Sequence, residues 1–363
     1  MGMSEPSMVA EPPKLVPPKG FYLLRGHWAG RAWQLLIFKR SLWVNVALTL
    51  GLLVLSTLAL GAGQVKLTPL EVWQALWGMG TPVQELVVRE LRLQRVLAGI
   101  LTGAAFALSG CLMQTLANNR LATPGIIGID NAATAFAVAS VVGLTTSIAP
   151  PGMALVGAAL ATFLAFLLAG QTGTQGYRFI VAGIGIGAIA GALTQLLLSQ
   201  VEIDTANAAF PWTVGSLNAR SPGAVWGLGL VIVPSLIVAL GLVRGLQLLR
   251  ISTTITVSLG IALKRLRLVT LALSVMLTGF AVAVAGPVGM VALLGPELAR
   301  LLNRHHGVPL FGAALSGALM MVAADWVGRW MLAPIEVPVG IITAVVGSPY
   351  LLWLLLRPAT SGP

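Results

Sequence analysis

The chain has 363 residues, of which 57% are hydrophobic and only 9% are charged. An ordinary soluble domain carries roughly 25% charged residues, so these compositions exclude a soluble enzyme and a disordered chain. Apolar runs of about 20 residues recur along the sequence, which is the length that crosses a bilayer core as a helix. The runs do not alternate with period two, which disfavours a β-barrel. We therefore predict an all-α polytopic membrane protein.

The net charge is +11, which in a soluble protein would suggest nucleic-acid binding. In a polytopic membrane protein, basic residues instead collect in the cytoplasmic loops, so we expect no nucleic-acid partner. Cys111 is the only cysteine and lies in an apolar run. A cysteine-based zinc site and an intramolecular disulfide are therefore excluded.

The amino-terminal segment, residues 1–42, is basic and contains Pro12-Pro13 and Pro17-Pro18. It is too long and too charged for the n-region of a signal peptide, and its start has the composition of a disordered arm. We predict three parts: a cytoplasmic arm over 1–42, a transmembrane domain over 43–357 and a cytoplasmic tail over 358–363.

Charged residues divide the transmembrane domain into ten apolar stretches. Ten spans with both termini in the cytoplasm place most basic residues on the inner side, whereas nine spans would put Arg300, Arg304 and Arg357 outside. The stretches are 43–63, 96–117, 132–149, 152–170, 179–200, 223–243, 268–285, 287–302, 308–327 and 338–356.

Two connecting segments are more organised than plain loops. Residues 64–95, on the outer side, contain Thr68-Pro69-Leu70-Glu71, which is typical of a capped helix start. Residues 244–267, on the inner side, alternate apolar and polar residues between basic ends. We predict one or two short amphipathic helices at the cytoplasmic surface there.

Glycines recur at four-residue spacing inside the stretches. Gly99 and Gly103 share one stretch, and Gly183, Gly187 and Gly191 share another. On a helix this spacing places them on one face, where small residues let neighbouring backbones approach closely. We predict that these glycines pack helices together.

Acidic residues within spans mark ion pathways and proton relays. By this reading Asp325 is the only candidate, and Arg329 lies four residues on, where an ion pair forms along a helix. A carrier driven by an ion gradient normally needs more buried ionisable groups. The sequence therefore favours an energy source on another chain over such a secondary transporter.

Arg92, Arg95 and Arg329 lie on the outer side, against the general charge bias. Arg92 and Arg95 are three residues apart and share a helix face. Two interpretations stay open: arginines that extend from a helix end toward the membrane interface, and a positive outer rim that docks acidic groups of a partner protein.

The sequence has neither a G-x-x-x-x-G-K-[ST] phosphate loop nor an H-E-x-x-H zinc motif. The histidines, His27, His305 and His306, all lie at cytoplasmic edges. An intramembrane enzyme needs a buried nucleophile–base or metal constellation, and none is found. We expect no catalytic, cofactor-binding or metal-binding residue in this chain.

Nine segments resemble the FecCD-type permeases of iron-siderophore and vitamin B12 ABC importers, and together they are highly specific. The resemblance covers about residues 45–357. The segments are LRLQRVLAG (91–99), GAAFALSGCLMQ (103–114), NRLATPGIIG (119–128), WTVGSLN (212–218), AGPVG (285–289), GPELAR (295–300), ADWVGR (324–329), EVPVG (336–340) and GSPY (347–350).

The resemblance implies a ten-helix subunit in a bacterial inner membrane. It implies a second permease subunit, two ATPase subunits that bind ATP and Mg²⁺, and a periplasmic or lipid-anchored binding protein. Arg92, Arg95 and Arg329 fall on family positions that meet glutamates of the binding protein. Segment 249–266 falls on the family's ATPase-coupling helices, with candidate residues Ser252, Thr253, Ser258, Leu259 and Gly260.

The sequence departs from the family pattern at three places. Gln94 replaces the proline of Leu-Pro-Arg, so we expect a straighter helix start. Ser252-Thr253 replace Gly-Glu in the coupling segment, which puts the ATPase contact in doubt, and Glu297 replaces the histidine of Pro-His. The stretches YRFIVAGIG (177–185) and GSLN (215–218) are most similar to subunits that import ferric catecholates of the enterobactin type, which work as heterodimers.

The sequence thus predicts the permease subunit of an ATP-driven importer for a ferric siderophore. A vitamin B12 or haem importer of the same family remains the nearest alternative, and both homodimer and heterodimer stay open. Gln114, Thr194 and Gln195 are polar candidates for the wall of the translocation path. Hydrogen bonds between helices are an equally good interpretation of these three residues.

Overall fold

The computed structural model describes residues 18–28, 31–63, 65–144, 148–169, 177–218, 220–303, 307–331 and 335–356. A β-hairpin precedes a bundle of helices, with a π-helical stretch at Leu86–Arg92 and a 3-10 turn at Pro124–Ile127. The elements are β1 (Phe21–Trp28), β2 (Arg31–Phe38), α1 (Lys39–Gly61), α2 (Pro69–Leu76), α3 (Pro82–Glu85), α4 (Leu93–Leu116), α5 (Ile129–Val141), α6 (Pro150–Ala169), α7 (Tyr177–Ser199), α8 (Ile203–Val214), α9 (Pro222–Ile251), α10 (Thr253–Ser258), α11 (Leu263–Ala285), α12 (Gly289–Asn303), α13 (Leu310–Met331) and α14 (Val339–Leu356).

Each of the ten predicted stretches contains one helix: α1, α4, α5, α6, α7, α9, α11, α12, α13 and α14. Among the described residues, seven helices are long and apolar enough to cross a membrane. The others are shorter, and α12 has 15 residues. Pro150 begins α6. The helical conformation is interrupted between α11 and α12 at Gly286-Pro287, where the sequence has turn residues. The prediction of an all-α polytopic fold is confirmed for the transmembrane part.

The hairpin was not predicted. Its strands are antiparallel and pair Phe21 with Phe38 and Trp28 with Arg31. It lies inside the segment assigned to a cytoplasmic arm, and α1 follows it directly from Lys39, four residues before the predicted span. The Pro12-Pro13 pair and the tail over 358–363 lie outside the described residues.

Segment 64–95, which was predicted to lie on the outer side, is more helical than expected. Thr68 caps α2 as predicted: its hydroxyl accepts a hydrogen bond from the Glu71 amide, and the Glu71 carboxylate accepts one from the Thr68 amide at 2.7 Å. The hydrogen bond from this amide is the main cause of a lowered pKa for Glu71. Further on, Pro82–Leu116 is one continuous helix. The helix of the second span therefore begins at Pro82 and continues through the π-helical stretch and Gln94.

Helix α4 lies at the centre of the bundle, and most of its side chains are buried. It packs on α13, α11, α12 and α9. The backbones of α4 and α13 nearly touch at Gly103 and Gly317, where an added Cβ on either glycine would overlap the carbonyl oxygen of the other. Gly110 approaches the Ala292 carbonyl of α12 in the same way. Gly99 faces Leu217 and Val322.

Hydroxyl groups join α4 to α11 inside the apolar core. The Ser109 hydroxyl lies 2.6 Å from the Thr278 hydroxyl and donates to the Ser274 carbonyl, while the Ser274 hydroxyl donates to the Ser109 carbonyl. Such bonds contribute about 1 kcal/mol each inside a membrane bundle. They also satisfy buried polar groups that have no access to water.

Helix α7 packs against the 3-10 turn through its glycines. Gly183 lies against the backbone of Ile126 and Ile127, and Gly187 faces Gly128, whose φ of +77° favours glycine. At Gly191 an added Cβ would meet only the Asn131 amide nitrogen, at 3.9 Å. Two of the three α7 glycines thus lie at the contact with the turn.

We expect Gly103→Ala to lower the free energy of unfolding by about 1–3 kcal/mol, because the new Cβ forces α4 away from α13. Gly241→Ala in α9 is the matched control, since its Cβ would meet no described atom within 4 Å. Chemical or thermal unfolding in detergent measures both variants. Equal stability of the two variants would show that the α4–α13 approach is not constrained.

Candidate functional site

The end of the bundle predicted to lie on the outer side, here called the outer end, holds a charged cluster built by α4, α13 and the segment before α14. Arg95 of α4 donates through Nε to both carboxylate oxygens of Asp325 at 3.0 and 3.1 Å, and its Nη2 lies 2.9 Å from Asp325 Oδ1. Arg95 Nη1 donates to Glu336 at 2.9 Å. Three nitrogens of one guanidinium therefore contact two carboxylates.

Arg329 shares the carboxylate of Asp325. Its Nε lies 3.1 Å from Asp325 Oδ2, one helical turn away, so the predicted ion pair is present. Its two terminal nitrogens reach the carbonyl oxygens of Ala59 and Ala62 at the end of α1. These bonds join α13 to α1 at the outer side of the molecule.

Arg92 lies apart from this network. Its terminal nitrogens donate to the carbonyl oxygens of Leu60 and Val65, both at 2.7 Å. All three arginines predicted to form the outer rim are thus engaged within the chain. The side chains of Arg95 and Arg329 are only 15% and 13% exposed, and Asp325 and Glu336 balance their charges.

A cavity of about 1370 Å³ opens beside the cluster. Its lining includes Arg92, Arg95, Arg329, Glu336 and one arginine that the sequence analysis did not single out, Arg220. The cavity is therefore rich in guanidinium groups at the outer side of the bundle.

Arg220 packs its guanidinium 4.4 Å above the Trp212 ring and donates through Nε to the Ser216 carbonyl. Its buried Nη2 has no hydrogen-bond partner among the described residues. Burial lowers the pKa of Arg220 to about 10, which still leaves it positive at neutral pH. Nothing in its sequence surroundings distinguishes it from an ordinary loop arginine.

A second charged cluster lies at the other end of α4. Glu297 of α12 is 3% exposed and accepts from Arg300 at 3.0 Å and from Arg120 at 3.3 Å. Taking Asp325 as the only acidic residue within a span was therefore wrong, because α12 buries Glu297 as well. The sequence signal for this acidic residue was Pro296-Glu297, which stands where the family pattern has Pro-His.

Gln114 belongs to this inner cluster. Its side-chain oxygen accepts from Arg300 at 2.6 Å, and its side-chain nitrogen donates to the Leu293 carbonyl at 3.1 Å. The structure thus uses Gln114 to join α4 to α12, which is the second of the two interpretations that the sequence left open.

The other two path candidates lie on α7. Thr194 is buried and donates to the Ala190 carbonyl of its own helix. Gln195 is exposed on the surface of the single chain. Of the three candidates, only Gln195 has an accessible side chain.

The coupling segment contains one short helix, α10. Residues 244–251, which were predicted to belong to the segment, instead extend α9. Ser252 caps α10 by accepting from the Thr254 amide, Thr253 and Ser258 bound the helix, and Gly260 turns the chain with a φ of +79°. Leu259 and other apolar side chains around α10 are exposed: Ile251, Ile255 and Val257.

No group of three or more His, Cys, Asp or Glu side chains suited to a metal ion occurs among the described residues. His305 and His306 lie outside them. The described sites are clusters of paired charges at the two ends of a membrane helix bundle, and an exposed apolar turn at α10. Together with the long apolar helices, these features define a polytopic membrane protein.

The FecCD transport family matches residues 51–357, so the chain belongs to that family. It is 34% identical over 299 residues to the ferric enterobactin transport system permease protein FepG of Escherichia coli (strain K12), covering 82% of this chain and 91% of that protein. It is also 34% identical over 311 residues to the vitamin B12 import system permease protein BtuC of Shigella boydii, covering 84% and 94%.

A solved structure of a metal-chelate type ABC transporter in an inward-facing conformation has the same fold. Its TM-score is 0.75 at 24% identity, and the match covers 88% of this chain and all of the other. Membership of a transport family agrees with the prediction that this chain is a transport subunit without a catalytic site of its own.

We expect Asp325→Asn to lower the free energy of unfolding by about 3–5 kcal/mol, because it leaves two largely buried arginines without their shared carboxylate. Glu336→Gln is the matched control, since the Glu336 side chain is 43% exposed and its ion pair contributes about 1 kcal/mol or less. Unfolding in detergent measures both. A loss for Asp325→Asn no larger than the control would contradict the assigned role.

Proposed function

We propose that the chain is the transmembrane permease subunit of an ABC importer for a ferric siderophore of the enterobactin-like, catecholate kind. The family match over residues 51–357 carries the proposal. The relative named for ferric enterobactin and the one named for vitamin B12 are both 34% identical to this chain. Sequence identity therefore does not distinguish these cargoes, and a vitamin B12 or haem importer is the second candidate.

The outer cavity favours an anionic cargo. Arg92, Arg95, Arg220 and Arg329 line it, and the Arg220 Nη2 has no partner among the described residues. A ferric tris-catecholate is a compact anion. Basic side chains outnumber the two acidic ones in the lining, Glu90 and Glu336, and an excess of positive charge concentrates ligands of the opposite sign. This electrostatic match favours the siderophore over the vitamin.

The transporter that this proposal requires has further subunits. A second, related permease pairs with this chain, two ATPase subunits bind ATP and Mg²⁺ at the inner side, and a binding protein delivers cargo from outside. Arg92, Arg95 and Arg329 dock acidic side chains of the binding protein, and this chain itself binds no cofactor. The location is a bacterial inner membrane.

The exposed turn around α10 provides the contact to the ATPase. Ser252, Thr253, Ser258, Leu259 and Gly260 shape a short helix whose neighbouring apolar side chains have no cover within the described chain. ATP binding drives transport because it favours one arrangement of the helices over the other. The exposed side chain of Gln195 faces the second permease subunit and lines the translocation path. The side chains of Gln114 and Thr194 form hydrogen bonds within the bundle instead.

Reconstituted in vesicles with its partner subunits, the transporter is expected to accumulate a ferric tris-catecholate when ATP is supplied, and to continue after ionophores collapse the ion gradients. Cobalamin and haem are the competing cargoes. Preferred uptake of either would replace the siderophore assignment and keep the ABC assignment.

The purified chain without partners is the control. It is expected to hydrolyse no ATP and to move no solute, because the motor is on other subunits. Accumulation of solute by the isolated chain under an ion gradient would favour a secondary transporter instead.

The proposed orientation has both termini in the cytoplasm and the segment around Gly80 outside. A reporter enzyme inserted near Gly80 should give the signal of the outer compartment, and one fused after Pro363 that of the cytoplasm. Reversed signals would contradict the orientation derived from the distribution of basic residues.

A further inference from the structure

The outer cluster presents a physical problem for docking. Arg95 is one of the arginines proposed to receive an acidic side chain of the binding protein, yet its Nε, Nη1 and Nη2 already contact Asp325 and Glu336. A third carboxylate at the remaining N–H groups would lie beside two others and be repelled by both. Docking on Arg95 therefore requires that one of the present carboxylates leave.

The two carboxylates differ in how firmly they are held. Asp325 is 7% exposed and contacts both Arg95 and Arg329. Glu336 is 43% exposed and, among the described residues, forms an ion pair with one cation, through Arg95 Nη1. Breaking the buried contact would leave uncompensated charges away from water, whereas Glu336 can return to solvent at little cost.

We propose that Glu336 is an internal competitor for the docking site: it occupies Arg95 in the undocked transporter, and an acidic side chain of the binding protein displaces it. This inference rests on the proposed docking function. It gives Glu336 the role of weakening the contact between Arg95 and the binding protein. The exchange replaces one carboxylate by another, so the charge around Arg95 is the same before and after.

The position of Glu336 connects this exchange to the helix bundle. The neighbouring Val337 amide donates to the Gly328 carbonyl of α13, and the Gly340 amide of α14 donates to the Gly215 carbonyl after α8. Glu336 thus lies on a short segment fastened to α13, α14 and the end of α8. Its release from Arg95 breaks the ion pair between this segment and α4.

The test compares Glu336→Gln with Glu90→Gln in the complete transporter. Glu90 lines the same cavity, is exposed, and forms no ion pair among the described residues. Both variants remove one negative charge, but only Glu336→Gln frees Arg95. The probe is the cargo-free binding protein recovered with the transporter, and its affinity is measured at about 0.15 M salt, where charges more than about 8 Å apart are screened.

Glu336→Gln is expected to tighten docking by about two- to sixfold. This gain follows if the exposed ion pair occupies Arg95 for about one half to five sixths of the time, because the variant makes the site free all of the time. Glu90→Gln is expected to leave the affinity unchanged. Equal effects of the two variants, or no effect of Glu336→Gln, would overturn the proposal.

An Arg95→Gln background separates this inference from the docking proposal on which it rests. If Arg95→Gln weakens docking and Glu336→Gln then has no further effect, both proposals are supported. If Glu336→Gln still tightens docking in this background, Glu336 acts through its general charge and the competition is wrong. If Arg95→Gln leaves docking unchanged while the protein elutes as a folded complex, the docking role of Arg95 itself fails.

Discussion

The close approach of α4 to α13 and α12 is the contact on which the rest of the structure depends. Between apolar helices in a lipid bilayer, association comes mainly from packing, and glycine allows the shortest distance between backbones. Gly103 meets Gly317, and Gly110 meets the carbonyl of Ala292. Three helices are thereby held in fixed register along their length.

Both charged clusters follow from this register. The outer end of α4 presents Arg95 to Asp325 of α13, and its inner end presents Gln114 to Arg300 of α12. An isolated charge in a membrane interior is costly, whereas a paired and hydrogen-bonded one is tolerated. The glycine contacts therefore place the partners at distances near 3 Å, and the ion pairs in turn close both ends of the same three helices.

The region around α7 and α9 has a different character. Both helices bury little of their surface within the chain, whereas α4 and α11 bury most of theirs. In a family of transport proteins, the helices that remain uncovered are those available to lipid or to partner subunits. The path candidates Thr194 and Gln195 and the coupling residues lie on or beside these uncovered helices, while Gln114 and the charged clusters belong to the packed core.

The positions of the ten helices were readable from the sequence, because long apolar runs and their punctuation by Pro and Gly follow directly from bilayer thickness and backbone geometry. The capping box at Thr68 was equally local. The hairpin Phe21–Phe38 was missed, because the basic and Pro-containing residues around it are typical of a disordered arm. Glu297 was missed although it lies inside the predicted stretch 287–302, because no local pattern shows that Arg120, 177 residues away, meets it.

The sequence by itself determined the membrane environment, the number of apolar helices and the family resemblance, because these depend on composition and on motifs of neighbouring residues. Only the tertiary structure decided which charges meet. Arg95 is 230 residues from Asp325 and 241 from Glu336, and no local pattern shows that the same guanidinium serves both. That pairing arises from the crossing of α4 with α13, which only three-dimensional packing fixes.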